Sequence, residues 1–218
     1  MRSALAPLEV PLSGQRVAAF IALQRRPVRR MYVAGALWTD MTEDQANANL
    51  RTALWRLRRC GCGCVYASRA CLVIGDEVTI DYREVEILAR RAVHDGAQMT
   101  EREITSLYGA NDLLPDWYDD WVSLERERLR QLRIHALEAL CESFIARRRY
   151  GDALDAGLAA VSSDPLRESS HRLVIKAHLA EGNLVEATRH YDSFRQMLRR
   201  DVGLRPSPQM ESLLSSVR

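Results

Sequence analysis

"NLRTALWRLRRCGCGC", residues 49–64, decides how this chain is read. Four arginines and a tryptophan share one run with three leucines, and the run ends in alternating cysteine and glycine. A helix advances about 100° per residue, so with Leu50 as origin Ala53, Leu54 and Leu57 gather on one side. Ala48, Thr52, Trp55, Arg56 and Arg59 gather on the other, flanked by Arg51 and Arg58. The spacing predicts a helix over 45–59 that buries a leucine stripe and displays an arginine-rich strip with a tryptophan in its middle. Thr42 or Asp44 can cap its start, and Gly61 and Gly63 end it.

Two shorter helices are expected upstream. Residues 14–24 carry Val17, Ala18, Phe20, Ile21 and Leu23; RRPVRR then interrupts, because Pro27 cannot continue a backbone ladder. Residues 31–38 place Val33, Ala34, Leu37 and Trp38 at helical spacing. Downstream, 64–67, 71–74 and 77–80 are short and rich in β-branched or aromatic residues, with Ser68–Arg69 and Gly75–Asp76 as turns, which predicts a small antiparallel sheet. Three helices followed by a hairpin, the third helix basic and outward, is the order of a winged helix-turn-helix.

Charge divides the same way. Residues 1–80 hold 11 arginines against 6 acidic residues, a balance of +5, while the remainder holds 20 basic against 23 acidic, or −3. The basic end is where a polyanion would go. Beyond Asp81 the pattern is wholly helical, over about 82–95, 100–108, 118–147, 150–162, 166–181, 184–200 and a short piece after Pro208. An offset of 34 aligns Ala187 with Ala153, the period of a tetratricopeptide repeat, and Leu137, Leu140, Cys141, Phe144, Ala153, Gly157, Ala160 and Pro165 fill its large and small positions. The second unit departs, with Phe194 where a small residue is usual and Arg199 where the proline would stand. The fold class is therefore mainly α, with a winged helix and small sheet at about 13–80 and an all-α tetratricopeptide-like part at about 81–218.

The segments LLPDWYDDWVSLERERL (113–129), the stretch 150–187 containing DPLRE, and DVGLRPSPQM (201–210) resemble the bacterial transcriptional activator domain. ALWTD (36–40) and QANANLRTALWRLRR (45–59) resemble the OmpR-type winged helix that precedes it in Streptomyces antibiotic regulatory proteins. The resemblance runs from about Gln15 to Met210. It implies binding to double-stranded promoter DNA, recruitment of RNA polymerase, target genes often in secondary metabolism, and a homodimer or tandem protomers on direct repeats. By position, 45–59 would be the recognition helix and the wing would centre on Ser68 and Arg69. Two features depart from the family. Its leading four-stranded sheet is not supplied by the segment before Gln15, and Arg29, Met31 and Tyr32 stand where the second helix usually opens with a small cap and an acidic pair.

In a major groove the arginines can neutralise phosphates or place a guanidinium fork on a guanine edge. Arg56 and Thr52 project from the centre of the exposed side and are expected nearest the bases, with Arg51, Arg58 and Arg59 toward the backbone and Trp55 on sugars or a thymine methyl. The plainer reading is a solvated basic helix whose tryptophan meets protein. Arg25, Arg26, Arg29 and Arg30 either add phosphate contacts or keep a loop soluble. Two further readings stay open: a docking module whose winged helix no longer binds DNA, and a thiol sensor.

Cys60, Cys62, Cys64 and Cys71 crowd into a dozen positions without the C-x2-C spacing of structural zinc sites, so they read as reduced packing residues ahead of a metal or redox site. Trp117, Trp121 and Leu124 read as a core stripe on one helix face, and Glu125–Arg128 and Glu127–Arg130 as surface pairs. No nucleophile–base constellation, phosphate loop or metal-spaced histidine set is present, which points away from an enzyme and from any cofactor. No stretch approaches the roughly 20 apolar residues of a membrane span, and the N-terminus lacks the apolar run of a secretory signal, so a cytoplasmic location is expected.

Overall fold

The computed structural model describes residues 8–110 and 112–215, and the chain divides into two units, 1–81 and 82–218. In the first, Pro11 delivers the chain into α1 (Leu12–Leu23), a two-residue strand β1 (Val28–Arg29) leads into α2 (Arg30–Leu37), and α3 spans Glu43–Arg59. Thr42 makes a capping box with Gln45, each side chain bonding the other's backbone N–H, a contribution of about 1 kcal/mol. Glu43 and Asp44 at the start of α3, and three arginines in its last turn, complement the helix dipole.

The core of this unit is the inner side of three helices: Val17, Phe20 and Ile21 of α1, Val33 and Leu37 of α2, Leu50, Leu54 and Leu57 of α3. Each buried leucine contributes about 1.5–3 kcal/mol, against under 1 for an exposed ion pair, so the leucine stripe determines which side of α3 turns inward. α1 and α3 cross so closely that a Cβ on Gly14 would lie 3.1 Å from Leu57 Cγ.

Strands β2 (Val65–Ala67) and β3 (Cys71–Ile74) form the hairpin, with Val65 opposite Ile74 and Ala67 opposite Leu72. The sheet order is β1-β3-β2, all antiparallel, which completes a winged helix-turn-helix. The third strand is not the expected one. Residues 77–80 are not a strand: Val78 N–H returns to Gly75 O at 3.1 Å, and Glu77 is held by the Tyr66 hydroxyl at 2.9 Å. Their place is taken by Val28–Arg29, where Pro27 leaves the chain extended and Val28, 7% exposed, inserts against the core opposite Leu72.

The second unit is helical: α4 (Asp81–Asp95), a 3-10 turn at Gly96–Gln98, α5 (Glu101–Tyr108), α6 (Asp120–Ala146), α7 (Tyr150–Ser163), α8 (Glu168–Glu181), α9 (Leu184–Val202) and α10 (Pro208–Ser215). α6 packs on α7, α7 on α8 and α8 on α9, the adjacency of stacked helical hairpins. Ala153, Ala156 and Ala160 are fully buried on α7, and Leu137, Leu140, Cys141 and Phe144 face them from α6. The departures of the second pair have a physical reason. Phe194 of α9 is fully buried in a cluster with Ile175, Leu198 and Met210 of α10, so the large ring fills space that α10 closes. Where Pro165 ends α7's neighbourhood, Arg199 lets α9 run on to Gly203, whose φ of +71° terminates it.

One further expectation is corrected. Trp117 and Trp121 do not share a helix: α6 begins at Asp120, because Pro115–Asp116 form a turn in which Trp117 N–H returns to Leu114 O at 3.1 Å. The two rings meet edge-on instead, with centroids 6.1 Å apart, and Leu124 is 72% exposed rather than core. Arg126 holds the turn by donating to the carbonyls of Leu113, Leu114 and Trp117, which stabilises the left-handed backbone at Leu114. Among the described residues no helix is long and apolar enough to cross a membrane.

Candidate nucleic-acid interface

With its leucines inward, α3 exposes Arg51, Thr52, Trp55, Arg56, Arg58 and Arg59. Trp55 is 56% exposed, an unusual position for an indole, and the Arg59 guanidinium stacks over its ring at 5.1 Å. That stacking orders two large side chains into one flat, positively charged surface. Arg51 and Arg58 have no ion-pair partner among the described residues. Arg56 reaches back to donate to Ser13 Oγ of α1 at 3.2 Å, and the Thr52 hydroxyl donates to Ala48 O at 3.0 Å. Arg56 therefore keeps most of its five donors, whereas Thr52 offers only its acceptor lone pairs.

At the hairpin tip, Ser68 and Arg69 are both exposed, with different standing. The Ser68 hydroxyl donates to Cys71 O at 3.1 Å and accepts from Cys71 N–H at 2.9 Å, so it closes the turn. Arg69 is left as the charged group of the tip. The RRPVRR segment, read as a connection, in fact brings further charge here. Arg29 pairs with Cys71 in the sheet, and Arg30 N–H bonds Ala70 O at 2.9 Å, tying the tip to the start of α2. The available signal was Pro27, which biases its neighbours toward extended backbone.

In the second unit the DPLRE stretch is a junction whose three charged side chains are all paired. Asp164 pairs with Arg130 at 3.1 Å. Arg167 binds both Glu138 oxygens, at 2.9 and 3.1 Å, and Ser169 and Ser170 donate to the same carboxylate at 2.6 and 2.8 Å. Burial works to raise the Glu138 carboxyl, but these bonds together hold it below the usual carboxylate range. Glu168 accepts from Ser207 N–H at 2.9 Å, which ties the RPSP exit to α8. Glu125–Arg128 and Glu127–Arg130 pair along α6 at 3.1 and 2.8 Å, and the Arg130 and Gln131 bonds bring the Glu127 carboxyl down to about 2.

Pro165 O, which can only accept, lies 2.8 Å from His171 Nε2; that nitrogen carries the proton, and Nδ1 accepts from His190 Nε2–H at 3.0 Å. Burial, with help from the neighbouring His171 and His178, brings His190 down to about 4, and burial also lowers His171. Both rings are thus neutral in the folded protein, and an unfolded chain binds protons first as pH drops below about 6.5. Stability from these rings is fully present above that pH and lost as pH falls toward 4. Thermal melts should show the helical unit weaker at pH 5 than at pH 7 by about 1 kcal/mol, below the full linkage value because His190 is partly solvated. His190→Gln should reduce that difference, with His171 supplying what remains, and an equal slope in the variant would show that His190 does not carry it.

Residues 82–218 match the bacterial transcriptional activator domain. The chain is 26% identical over 216 residues to the regulatory protein AfsR of Streptomyces coelicolor, covering 93% of this chain and 21% of that protein. Its fold is similar to that of Mycobacterium tuberculosis EmbR, solved in complex with a low-affinity phosphopeptide, with a TM-score of 0.70 and 21% identity over 95% of this chain and 59% of that one. The chain therefore spans about a fifth of AfsR and about three-fifths of the EmbR chain.

Proposed function

The chain belongs to the bacterial transcriptional activator domain family, a family of transcription regulators, and from that premise we propose that it activates transcription by binding promoter DNA through α3 and the hairpin and by recruiting RNA polymerase through its helical unit. The observation that carries the reading is the outward strip of α3, in which Trp55 and four arginines stand exposed while the leucines are buried. A solvated helix has no need of a half-exposed indole with a guanidinium stacked on it, whereas a duplex uses both, the cation on phosphate and the ring on sugar or methyl. In this reading Arg51 and Arg58 contact backbone, and Arg56, steered by Ser13 toward the α1 side, reaches base edges. Arg59 and Trp55 act as one stacked unit. Arg69 reaches the adjacent phosphates, and Ser68 shapes its turn. Double-stranded DNA and polymerase are the partners, tandem protomers the arrangement, secondary-metabolism promoters the targets, and no catalytic step is involved.

The test is fluorescence anisotropy with duplexes tiled across the region upstream of the protein's own gene neighbourhood, from 50 to 200 mM salt. Affinity should concentrate on one duplex and fall steeply with salt, the logarithmic slope being about −0.9 per phosphate neutralised. Arg51→Ala should lower that slope by about 1, and Arg56→Ala should blunt the preference among duplexes. A salt-insensitive complex, or equal affinity of the unmodified protein for every duplex, would count against the proposal. Capture of polymerase by a protein that binds no duplex would move the reading to a docking module.

A further inference from the structure

Beyond the arginine strip, α3 ends in chemistry that its role as a helix does not require. Gly61, at φ +80°, terminates it in a two-bond cap: Cys62 N–H bonds Leu57 O at 3.1 Å and Gly61 N–H bonds Arg58 O at 3.2 Å. Two residues on, Cys64 O accepts from Gly75 N–H at 3.0 Å and the chain enters β2. Cys62 thus belongs to the cap of the arginine helix and Cys64 to the base of the hairpin. Across that joint their sulfurs lie 2.8 Å apart, both half-buried and both reduced. Gly63 between them has nothing within 4 Å of a would-be Cβ, so no neighbour packs against it on that side. The Cys60 thiol is engaged elsewhere, donating to Leu57 O at 3.2 Å. Among the described residues no three His, Cys, Asp or Glu side chains converge on a common point, so the arrangement is a sulfur pair and not a chelate.

We propose that Cys62 and Cys64 are a redox site that closes to an intramolecular disulfide, with a hydroperoxide as oxidant and a small thiol as reductant. The sulfurs need to approach by less than 1 Å to reach the roughly 2.05 Å of the bond. Burial and the neighbouring Cys62 thiol push the Cys64 thiol up, and the proposal gives the first step to Cys62, the sulfur on the cap side of the pair. The Cys62 sulfur attacks the peroxide oxygen; the O–O bond breaks, an alcohol or water leaves, and a sulfenic acid forms. The Cys64 sulfur then attacks the Cys62 sulfur; the S–O bond breaks and water leaves with the thiol proton. Two thiols lose two electrons in all and the hydroperoxide gains them. Two equivalents of a small thiol reverse the step by exchange. Closing this small ring draws Cys62 out of the cap and releases its bond to Leu57 O, which loosens the turn that carries Arg58 and Arg59.

The full chain is treated with equimolar hydrogen peroxide, then alkylated in denaturant so that the buried Cys141 also reacts, and weighed intact, and the link is mapped by peptide mass. The expected product is lighter by two hydrogens, takes up three alkyl groups where the reduced chain takes five, carries a 62–64 link, and reverts with dithiothreitol. Cys62→Ser and Cys64→Ser should each abolish it, and Cys64→Ser should leave a sulfenic acid at Cys62 trappable by dimedone. A link formed elsewhere, or five free thiols after peroxide, would overturn the proposal. The consequence for DNA rests on the function proposed above: the oxidised chain should bind the preferred duplex about tenfold more weakly. If neither form binds any duplex while the 62–64 link forms, the DNA reading fails and the redox site stands.

Discussion

Gly157→Leu is expected to destabilise the helical unit by about 3 kcal/mol, a fall of roughly 10 °C in its melting temperature. Gly157 is buried on α7 between two neighbours. A Cβ added there would lie 2.8 Å from Val174 Cγ2 of α8 and 3.4 Å from Cys141 Sγ of α6, with the Val174 Cα at 3.8 Å. Val174 is fully buried, so it has no rotamer into solvent, and the pressure passes to the α8 backbone. Replacing a helical glycine normally gains about 1 kcal/mol of propensity, and here that gain is outweighed because one carbon already overfills the crossing. Gly151→Ala on the same helix is the control: nothing lies within 4 Å of its Cβ, and it should be neutral or stabilising by up to about 1 kcal/mol. Circular dichroism melts of the three proteins decide the matter, and a Gly157→Leu melt equal to the unmodified one would show that α7 does not pass between α6 and α8.

That crossing was readable from spacing alone, because small residues recurring along a helix have meaning only if another backbone comes close. The same holds for α3, whose Leu50, Leu54 and Leu57 share a side by arithmetic and whose buried side is the one predicted. What spacing could not reach is anything set by distant partners. Arg56 and Ser13 are 43 residues apart, and no local pattern announces their bond. The third strand was misplaced for a related reason. Residues 77–80 have the right composition for a strand, but composition does not say which edge of β3 is open, and Val28 takes that edge because it also fills the core. The tryptophan pair failed on a boundary. A four-residue spacing predicts one helix face, while the turn at Pro115–Asp116 leaves α6 to begin at Asp120, between the two rings. Ser68 sat in the predicted turn, but whether a serine hydroxyl faces outward or closes its own hairpin is decided by one torsion, which sequence does not encode.

The double variant Arg51→Glu, Arg58→Glu is expected to weaken binding to the preferred duplex by at least about a hundredfold at 100 mM salt, roughly 3 kcal/mol, while leaving the fold intact. Both side chains are exposed and have no carboxylate partner among the described residues, so no internal contact is lost. The structural cost is confined to Arg58, whose charge complements the last turn of α3 and is worth a few tenths of a kcal/mol. On DNA the change is larger, because two attractions to phosphate become two repulsions at short range, where salt screens least. Net charge alone also moves by −4, and that must be separated from position. Arg102→Glu, Arg199→Glu, two exposed arginines of the helical unit, makes the same change in charge elsewhere. If the long-range field were the cause, both doubles would weaken binding alike and both effects would vanish together in high salt. If α3 lies in the groove, the first double loses binding and about two units of salt slope, while the second shifts affinity by a few-fold with the slope unchanged. Equal losses in the two would remove α3 from the interface, however well its arginines are displayed.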